Sequence, residues 1–262
     1  MLGRALAQVW SYSPQYRRPR HFHAEPELNL VVHGSARFGV GNRCFDVRAG
    51  EVLGFPPGQD HVLLHGSSEL VLLSVGADLG LVSQGSGKRW SNIAPLHVRP
   101  RSSDFDVLVA RAEQVAGCAD ESRAAELWQM AGSLADPAEP CRATHVVTRR
   151  ALALLTRDLE LSRSQLARSV HCHPTEMSRH FHQDVGVTLV RYRTRLRILS
   201  LIRQVDARDR NLARSAVLAG FGSYSQCHRA FAVELGCSPS EFFFGSYRAG
   251  MEQLFEPVPP SP

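Results

Sequence analysis

Between residues 28 and 75 the apolar positions fall in short runs, 28–32, 36–40, 44–47, 52–55, 61–64 and 70–75, punctuated by Gly, Pro, Asn and Asp. Runs of four to six residues at that spacing predict strands of an antiparallel sandwich or barrel. Gly34, Gly41, Gly50 and Gly58 stand where the intervening hairpin turns demand positive φ. Residues 1–16 form a short arm with no clear period. Residues 76–101 read as irregular, broken by Gly80, Gly85, Gly87, Pro95 and Pro100.

From Asp104 onward the period changes to that of helices. Asp104 caps a predicted helix through Val115, with Phe105, Leu108, Val109 and Ala112 on one face. A second, over about 121–134, aligns Ala124, Leu127, Trp128 and Ala131. Two readings stay open for these stripes, intramolecular core or a dimer surface. Pro137 and Pro140 then forbid helix, so 137–144 reads as a linker and domain boundary. A helix over 145–159 turns Val146, Ala153 and Leu154 inward. Ser162 caps a short helix that ends near Val170, His171 to His173 make a turn, and Pro174 suits the first position of the next helix. There Met177 and Phe181 face the core, Thr175, Ser178, Arg179 and His182 share the opposite face, and Gly186 is the stop.

A long amphipathic helix over 188–205 follows. Leu189, Tyr192, Leu196, Leu199 and Ile202 form its apolar stripe, and Arg191, Arg193, Arg195, Arg197 and Arg203 its basic surface. Another short helix starts at Asn211, the chain turns at Gly220-Phe221-Gly222, and a helix restarts at Ser223. It puts Cys227, Ala230, Phe231 and Leu235 inward, and Tyr224, Ser225, His228 and Arg229 outward. The proline-rich residues 251–262 read as a disordered tail.

This half of the chain repeats itself. Leu166-Ala167-Arg168-Ser169 recurs as Leu212-Ala213-Arg214-Ser215 at an offset of 46, while Arg179, Phe181 and Gly186 recur as Arg229, Phe231 and Gly236 at 50. A fixed offset with some slack marks a duplicated supersecondary unit, here the outline of a helix-turn-helix. The slack predicts a second turn four residues longer than the first. The second reader helix then offers Tyr224 and His228 where the first offers Thr175 and Ser178, so the two units should not read the same bases.

Charge separates the halves. Residues 1–144 carry 14 Lys and Arg against 15 Asp and Glu, a net of −1, whereas 145–250 carry 16 Arg against 8 acids, a net of +8. A basic half joined to a neutral one points to a polyanion as the partner of one domain. At 262 residues the chain has room for two cores, and 44% apolar with 21% charged residues is ordinary for a globular protein. No apolar run reaches the length that crosses a bilayer and no signal-peptide core opens the chain, so a cytoplasmic, nucleoid-associated protein is expected. The six cysteines are scattered with no CxxC pair, which argues against a zinc knuckle or a disulfide framework.

Inside the strand region His21-Phe22-His23 is followed by Glu27 and Gly34, and Gly50 by Pro56-Pro57-Gly58 and His61. This resembles the two motifs of the cupin superfamily, G(x)5HxH(x)3,4E(x)6G and G(x)5PxG(x)2H(x)3N. The leading Gly of the first motif is absent near Tyr16, and His65 stands at the Asn of the second. Two histidines on alternate strand positions point the same way. By that resemblance His21, His23, Glu27 and His61 are the ligand positions of a divalent metal, or line an effector pocket without one.

The second half resembles the AraC/XylS family of bacterial transcription regulators, whose pattern is SxxxLAxxxxxSxxxLSRxFKxxxGxSxxxYxxxxRxxxA followed by IAxxxGFxxxSxFxRxFKxxxGxSPxxyR. Matching residues are Ser162, Leu166-Ala167, Ser178-Arg179, Phe181, Gly186, Tyr192, Arg197, Ala213, Gly220-Phe221, Ser223, Arg229, Phe231, Gly236 and Ser238-Pro239. The usual Lys after Phe is His182 in one unit and Ala232 in the other, His173 and Glu176 replace a Ser and a Tyr, and Phe242-Phe243 replaces the closing Tyr-Arg.

The resemblance implies an α+β protein: an antiparallel cupin-like barrel (about 17–76) with helices in a sensor domain 1–136, then an all-α double helix-turn-helix domain 145–250 built on a long connecting helix. It carries base reading to Thr175, Ser178, Arg179 and His182 in the first unit, and to Tyr224, Ser225, His228 and Arg229 in the second. Double-stranded operator DNA, a small-molecule effector, RNA polymerase and a second copy of the chain are the implied partners. A non-enzymatic regulator is the leading reading. The rival is a metal-dependent cupin enzyme with an accessory DNA-binding domain.

Overall fold

The structure, a computed structural model, describes residues 7–11, 20–77, 96–115, 126–127, 130, 139–142, 144–207 and 211–245. Two compact units divide the chain, Leu2–Leu189 and Val190–Pro262.

In the first unit the strands are β1 (Ala7–Ser11), β2 (Glu27–His33), β3 (Ser35–Val40), β4 (Arg43–Arg48), β5 (Val52–Phe55), β6 (His61–Gly66), β7 (Val71–Ala77), β8 (Leu96–Arg99) and β9 (Glu139–Arg142). They pair antiparallel in two sheets, one of order β1-β7-β2-β5-β8-β9 and one of order β4-β3-β6. All six predicted strands are present. The four hairpin glycines adopt φ of 70, 59, 81 and 76° as the turns require.

The larger sheet is buried on both faces. Side chains alternate along a strand, so Leu28 and Leu30 of β2 lie on one face while Val31 lies on the other. Val31 joins Phe38, Phe45, Leu53, Phe55 and Leu72 in a cluster shared by the two sheets. Leu28, Leu30, Val52, Leu73 and Val98 pack instead with Phe105, Leu108, Ala112 and Val115 of α1 (Ser102–Val115), and with Leu127. The stripe of α1 is therefore intramolecular core, which settles for this helix the alternative left open by its periodicity. Of the predicted helix over 121–134, only 126, 127 and 130 are among the described residues.

Three strands lie where none was expected. β1 occupies the amino-terminal arm and pairs with β7, and β8 lies in the stretch taken as irregular. β9 falls inside the expected linker, 137–144, pairing with β8. Pro140 is tolerated there because β9 closes the sheet order, and an edge strand needs no second set of ladder donors.

The first unit continues with α2 (Val146–Arg157), α3 (Arg163–Ser169) and α4 (Pro174–Val185). In α2 the buried face is Val147, Thr148, Ala151, Leu152 and Leu155, while Val146 is exposed. The expected inward set Val146, Ala153 and Leu154 was out of phase, since the outer edge of an apolar stripe looks much like its centre in sequence. Ser162 closes a capping box with Gln165, Pro174 opens α4, and Gly186 ends it at φ 79°.

The second unit holds α5 (Leu189–Ala207, from its second residue), α6 (Leu212–Leu218), α7 (Tyr224–Leu235) and α8 (Pro239–Phe244). Asn211, Ser223 and Ser238 cap the last three. Tyr192, Ile198, Leu201, Cys227 and Phe231 are fully buried. The tail 251–262 lies outside the described residues.

Candidate nucleic-acid interface and histidine cluster

Each helix-turn-helix is a short helix, a turn and a longer helix. The first is α3–α4, with residues 170–173 between them; the second is α6–α7, with 219–223. The second turn is thus longer by one residue, not four. Helix phase explains the error. Leu166 and Ala167 are adjacent buried residues of α3, and the adjacent buried residues of α6, which also buries Leu212, are Ser215 and Ala216, an offset of 49. The Leu-Ala-Arg-Ser echo at 46 matches letters that occupy different helical positions, so Ala213, exposed on α6, is not the counterpart of Ala167. The long helices correspond at 50 throughout, from Pro174 and Tyr224 to Gly186 and Gly236. Thr175 therefore corresponds to Ser225, Ser178 to His228 and Arg179 to Arg229, while Tyr224 falls opposite Pro174.

On α4, Met177, Phe181 and Val185 are buried, which leaves Thr175, Arg179 and His182 on an exposed face at helical spacing. Ser178 is half-buried and donates its hydroxyl to the Pro174 carbonyl at 2.8 Å, so its acceptor lone pairs remain for a ligand. Arg179 lies 3.7 Å from Glu176, both exposed. On α7, Cys227 and Phe231 are buried, while Ser225, His228 and Arg229 are exposed. Tyr224 is half-buried, its hydroxyl 3.4 Å from Ser240 Oγ. Each expected reader residue thus lies on the outer side of its helix or at that face's margin. Gln226 was overlooked: its side-chain oxygen accepts from Gly222 N–H at 2.8 Å and stiffens the second turn.

Of the expected basic surface of α5, Arg191 and Arg203 are exposed, Arg193 and Arg197 are half-buried, and Arg195 is a correction. Arg195 is buried at 3% exposure, its Nε donating to Glu234 of α7 at 2.7 Å, while Arg191 holds the other oxygen of Glu234, also at 2.7 Å. Arg195 serves to fix α7 against α5 and is closed to phosphate. Three residues on from Tyr192, it falls on the buried stripe. Glu234, its partner 39 positions away, left no mark in the sequence pattern.

The second cluster lies in the barrel. His21 exchanges backbone hydrogen bonds with His61 at the start of β6, His23 follows, and Glu27 opens β2. This brings the rings of His21 and His61 to 4.4 Å and those of His23 and His61 to 5.1 Å. One nitrogen from each of the three rings lies within 4.8 Å of the others. Phe55 stacks on His61 at 4.3 Å.

The tautomers follow from the partners. His23 Nδ1 lies 2.7 Å from the Glu25 carbonyl and His61 Nδ1 3.0 Å from the Gln59 carbonyl. A carbonyl only accepts, so each Nδ1 carries a proton and, in the neutral ring, each Nε2 bears a lone pair. Those two Nε2 atoms face Glu27, at 3.1 and 3.8 Å. Lone pairs facing a carboxylate call for positive charge between them, a proton or a metal ion. Burial raises the pKa of Glu27, but the attraction of His61, the hydrogen bond and charge of His23, and the charge of His21 outweigh it and hold the carboxyl well below the ordinary range. Asn29 donates to Glu27 at 2.9 Å and Ser74 to Asn29 at 2.7 Å, fixing the carboxylate. The donor set therefore fits a divalent cation.

A second buried carboxylate escaped sequence reading. Glu51 accepts from Arg48 N–H at 3.0 Å, His97 at 2.9 Å and Arg99 at 2.6 Å, tying the β4–β5 turn to β8.

Two helix-turn-helix units with outward reader helices, on a chain that opens in a histidine-bearing barrel, define a DNA-binding regulator with a cupin-like ligand domain. Family comparison agrees, matching a helix-turn-helix domain at residues 166–243 and a cupin domain at 8–76. A cupin domain followed by a helix-turn-helix domain is the arrangement that the resemblance to the AraC/XylS-type regulators implies. Comparison with curated proteins finds no match. Among solved structures, ToxT from Vibrio cholerae O395 is 13% identical over 91% of this chain and 96% of that one, with a TM-score of 0.47. The AraC-like transcriptional activator CuxR is 14% identical over 81% and 78%, TM-score 0.35. Oxalate decarboxylase from Bacillus subtilis is 29% identical over only 27% and 20%, TM-score 0.24. No described helix is long and apolar enough to cross a membrane.

Proposed function

We propose that this protein reads a bipartite operator, presenting α4 and α7 to two successive major-groove segments, and that a ligand at the histidine cluster modulates the binding. The observation that carries the reading is the recurrence of an exposed arginine, Arg179 and Arg229, at the same position of two like-built reader helices. An arginine there bonds guanine O6 and N7 bidentately, while Thr175, Ser178 and His182, and Ser225, His228 and Tyr224, contact neighbouring bases or phosphates. A connector of 19 residues measures about 28 Å at 1.5 Å per residue, comparable with one turn of duplex. The exposed arginines elsewhere meet phosphate, a contact that positions without specifying. Such a protein works in the cytoplasm on chromosomal DNA, and a homodimer contacting RNA polymerase fits the class.

Within the cluster, His21, His23 and His61 with Glu27 would hold a divalent metal, which supplies the positive charge that the facing Nε2 atoms and carboxylate call for. The same four residues serve a sensor as well as an enzyme. The fused reader helices favour the sensor over a catalytic cupin.

Selection of bound DNA from a random pool with the full-length chain tests the reading. A two-part motif, one helical turn between centres, is expected; recovery without sequence preference would overturn it. Metal content of the purified chain, against His61→Ala, tests the cluster.

A further inference from the structure

The last four carbonyls of a helix lack intrahelical donors and carry the negative end of its dipole. In α4, the first reader, three of these carbonyls are satisfied by side chains of the barrel. Arg43, the first residue of β4, donates through Nη1 to the carbonyls of Gln183 and Asp184, the latter at 2.9 Å. Gln59, two residues before His61, donates through Nε2 to the carbonyl of Val185 at 3.1 Å. Gln59 is 1% exposed, so water does not replace that bond if it is lost.

The backbones also meet. The β3–β4 turn at Gly41 and Asn42 presses on Gly186, the stop of α4. A side chain at Gly41 would lie 2.7 Å from the Val185 carbonyl, and one at Gly186 2.8 Å from Asn42 N. The stop of the second reader is less crowded. Gly236 ends α7 with nearly the same φ, 75° against 79°, yet a side chain there would meet nothing within 4 Å among the described residues. The first reader is thus clamped to the barrel at its carboxyl end.

The clamp connects to the histidine cluster. The Gln59 carbonyl accepts from His61 Nδ1 at 3.0 Å, and the Gln59 side chain holds Val185. Two hydrogen bonds thus run from a ring of the cluster to the end of the reader. Whatever draws His61 Nε2 to a new position turns the ring whose other nitrogen grips residue 59. From Val185 to Thr175 α4 extends about 15 Å, so a tilt of about 5° at the clamp moves Thr175 by about 1.3 Å. That is enough to spoil a hydrogen bond from Thr175 to a base edge.

We propose that Gln59 and Arg43 are positioning residues for the first reader helix, and that through His61 they make its placement answer to what the histidine cluster holds. The proposal rests on the operator-reading function above and adds a route by which regulation enters through the first reader.

The test uses the full-length chain, its Gln59→Ala, Arg43→Ala and His61→Ala variants, and the His61→Ala/Gln59→Ala double variant. Hydrogen exchange reads the clamp without DNA. Exchange over the last turn of α4 is expected to quicken about tenfold in Gln59→Ala and Arg43→Ala, the scale of one buried hydrogen bond, with α7 unchanged. Unchanged exchange in α4 would overturn the clamp.

Footprinting on the selected operator reads the regulation, the half bound by α4 being the one Arg179→Ala releases. Occupancy of that half should fall several-fold in Gln59→Ala and His61→Ala, the double variant should fall no further, and Arg43→Lys should recover part of the loss in Arg43→Ala. Additive losses, or equal losses on both halves, would overturn the route through His61. Where His61→Ala does not fold, His61→Gln, which keeps a donor for the Gln59 carbonyl but not the ring, should lose less occupancy of that half than Gln59→Ala; an equal loss counts against the route. A chain with no preferred DNA sequence defeats the operator reading, and with it regulation through the first reader, while exchange still decides the clamp.

Discussion

Arg195 and Glu234 meet at 2.7 Å with 3% of each side chain exposed, a buried ion pair joining the connector helix to the second reader. Arg191, half exposed, braces the same carboxylate from the rim. Removing one member of a buried pair strands the other charge out of water, at a cost of about 3–5 kcal/mol. Glu234→Ala should therefore loosen the second unit severely, and Arg195→Ala similarly. Arg191→Ala should cost less than about 1 kcal/mol, because its side chain is half exposed and Glu234 keeps Arg195. Denaturation followed by exchange in α7 distinguishes them. Equal effects of Arg191→Ala and Arg195→Ala would contradict the assignment of the buried partner.

Gly186 and Gly236 offer a matched comparison. Both hold φ near 75–79°, where a side chain costs about 1 kcal/mol of backbone strain. Only at Gly186 would the new Cβ also strike the β3–β4 turn, 2.8 Å from Asn42 N. Gly236→Ala should cost about 1 kcal/mol and Gly186→Ala at least about twice that. The difference, read from the stability of α4 and α7 in each variant, isolates the contact from the strain. Indistinguishable costs would mean that the turn yields freely.

Glu51 makes the barrel sensitive to acid. Burial pushes its pKa up, but the Arg48 N–H, His97 and Arg99 hold it below the ordinary value of 4.5. A carboxyl depressed in the folded state stabilises above the unfolded pKa and loses that contribution as pH falls through the folded value. The parent should lose sheet stability on acidification below about pH 4.5. Glu51→Gln should be less stable at pH 7 by about 2 kcal/mol yet flatter across that window. Parallel curves would remove Glu51 as the responsible group.

What the sequence disclosed, and what it hid, follows the range of the interactions. Gly34, Gly41, Gly50 and Gly58, the Ser162 cap, Pro174 and the stop at Gly186 are local requirements of backbone geometry, and each was legible. The ring set His21, His23 and His61 was legible because two short motifs place it at strand ends. β1, β8 and β9 were not, since edge and late-joining strands owe their form to partners far along the chain: Ala7 pairs with Ala77, and Val98 with Pro140. Arg195, Glu234, Glu51, Arg43 and Gln59 were silent for the same reason. Their roles lie in a partner up to 140 or so residues away, and nothing local distinguishes them from surface polar residues. The Leu-Ala-Arg-Ser echo misled in the opposite sense, because identical letters outweighed helical phase.

The corrected register sharpens what the two readers should do. Arg179 and Arg229 are equivalent and exposed, but Ser178 on α4 faces His228 on α7 in the alignment, and Gln226, opposite Glu176, is committed to the Gly222 N–H. Arg179→Ala and Arg229→Ala should each cost about 1–3 kcal/mol on the preferred sequence and far less where the contacted guanine has been replaced. Each should relax specificity in its own half of the operator only. Exchanging Ser178 for His should shift preference in the α4 half toward that of the α7 half, while Thr175→Ser should not. Salt dependence provides the control: a base-reading arginine leaves the slope of log K against log salt nearly unchanged, whereas a phosphate clamp lowers it by about 1. A uniform loss over all operator variants with a reduced slope would assign both arginines to the backbone and move base reading to Thr175, Ser225 and His228.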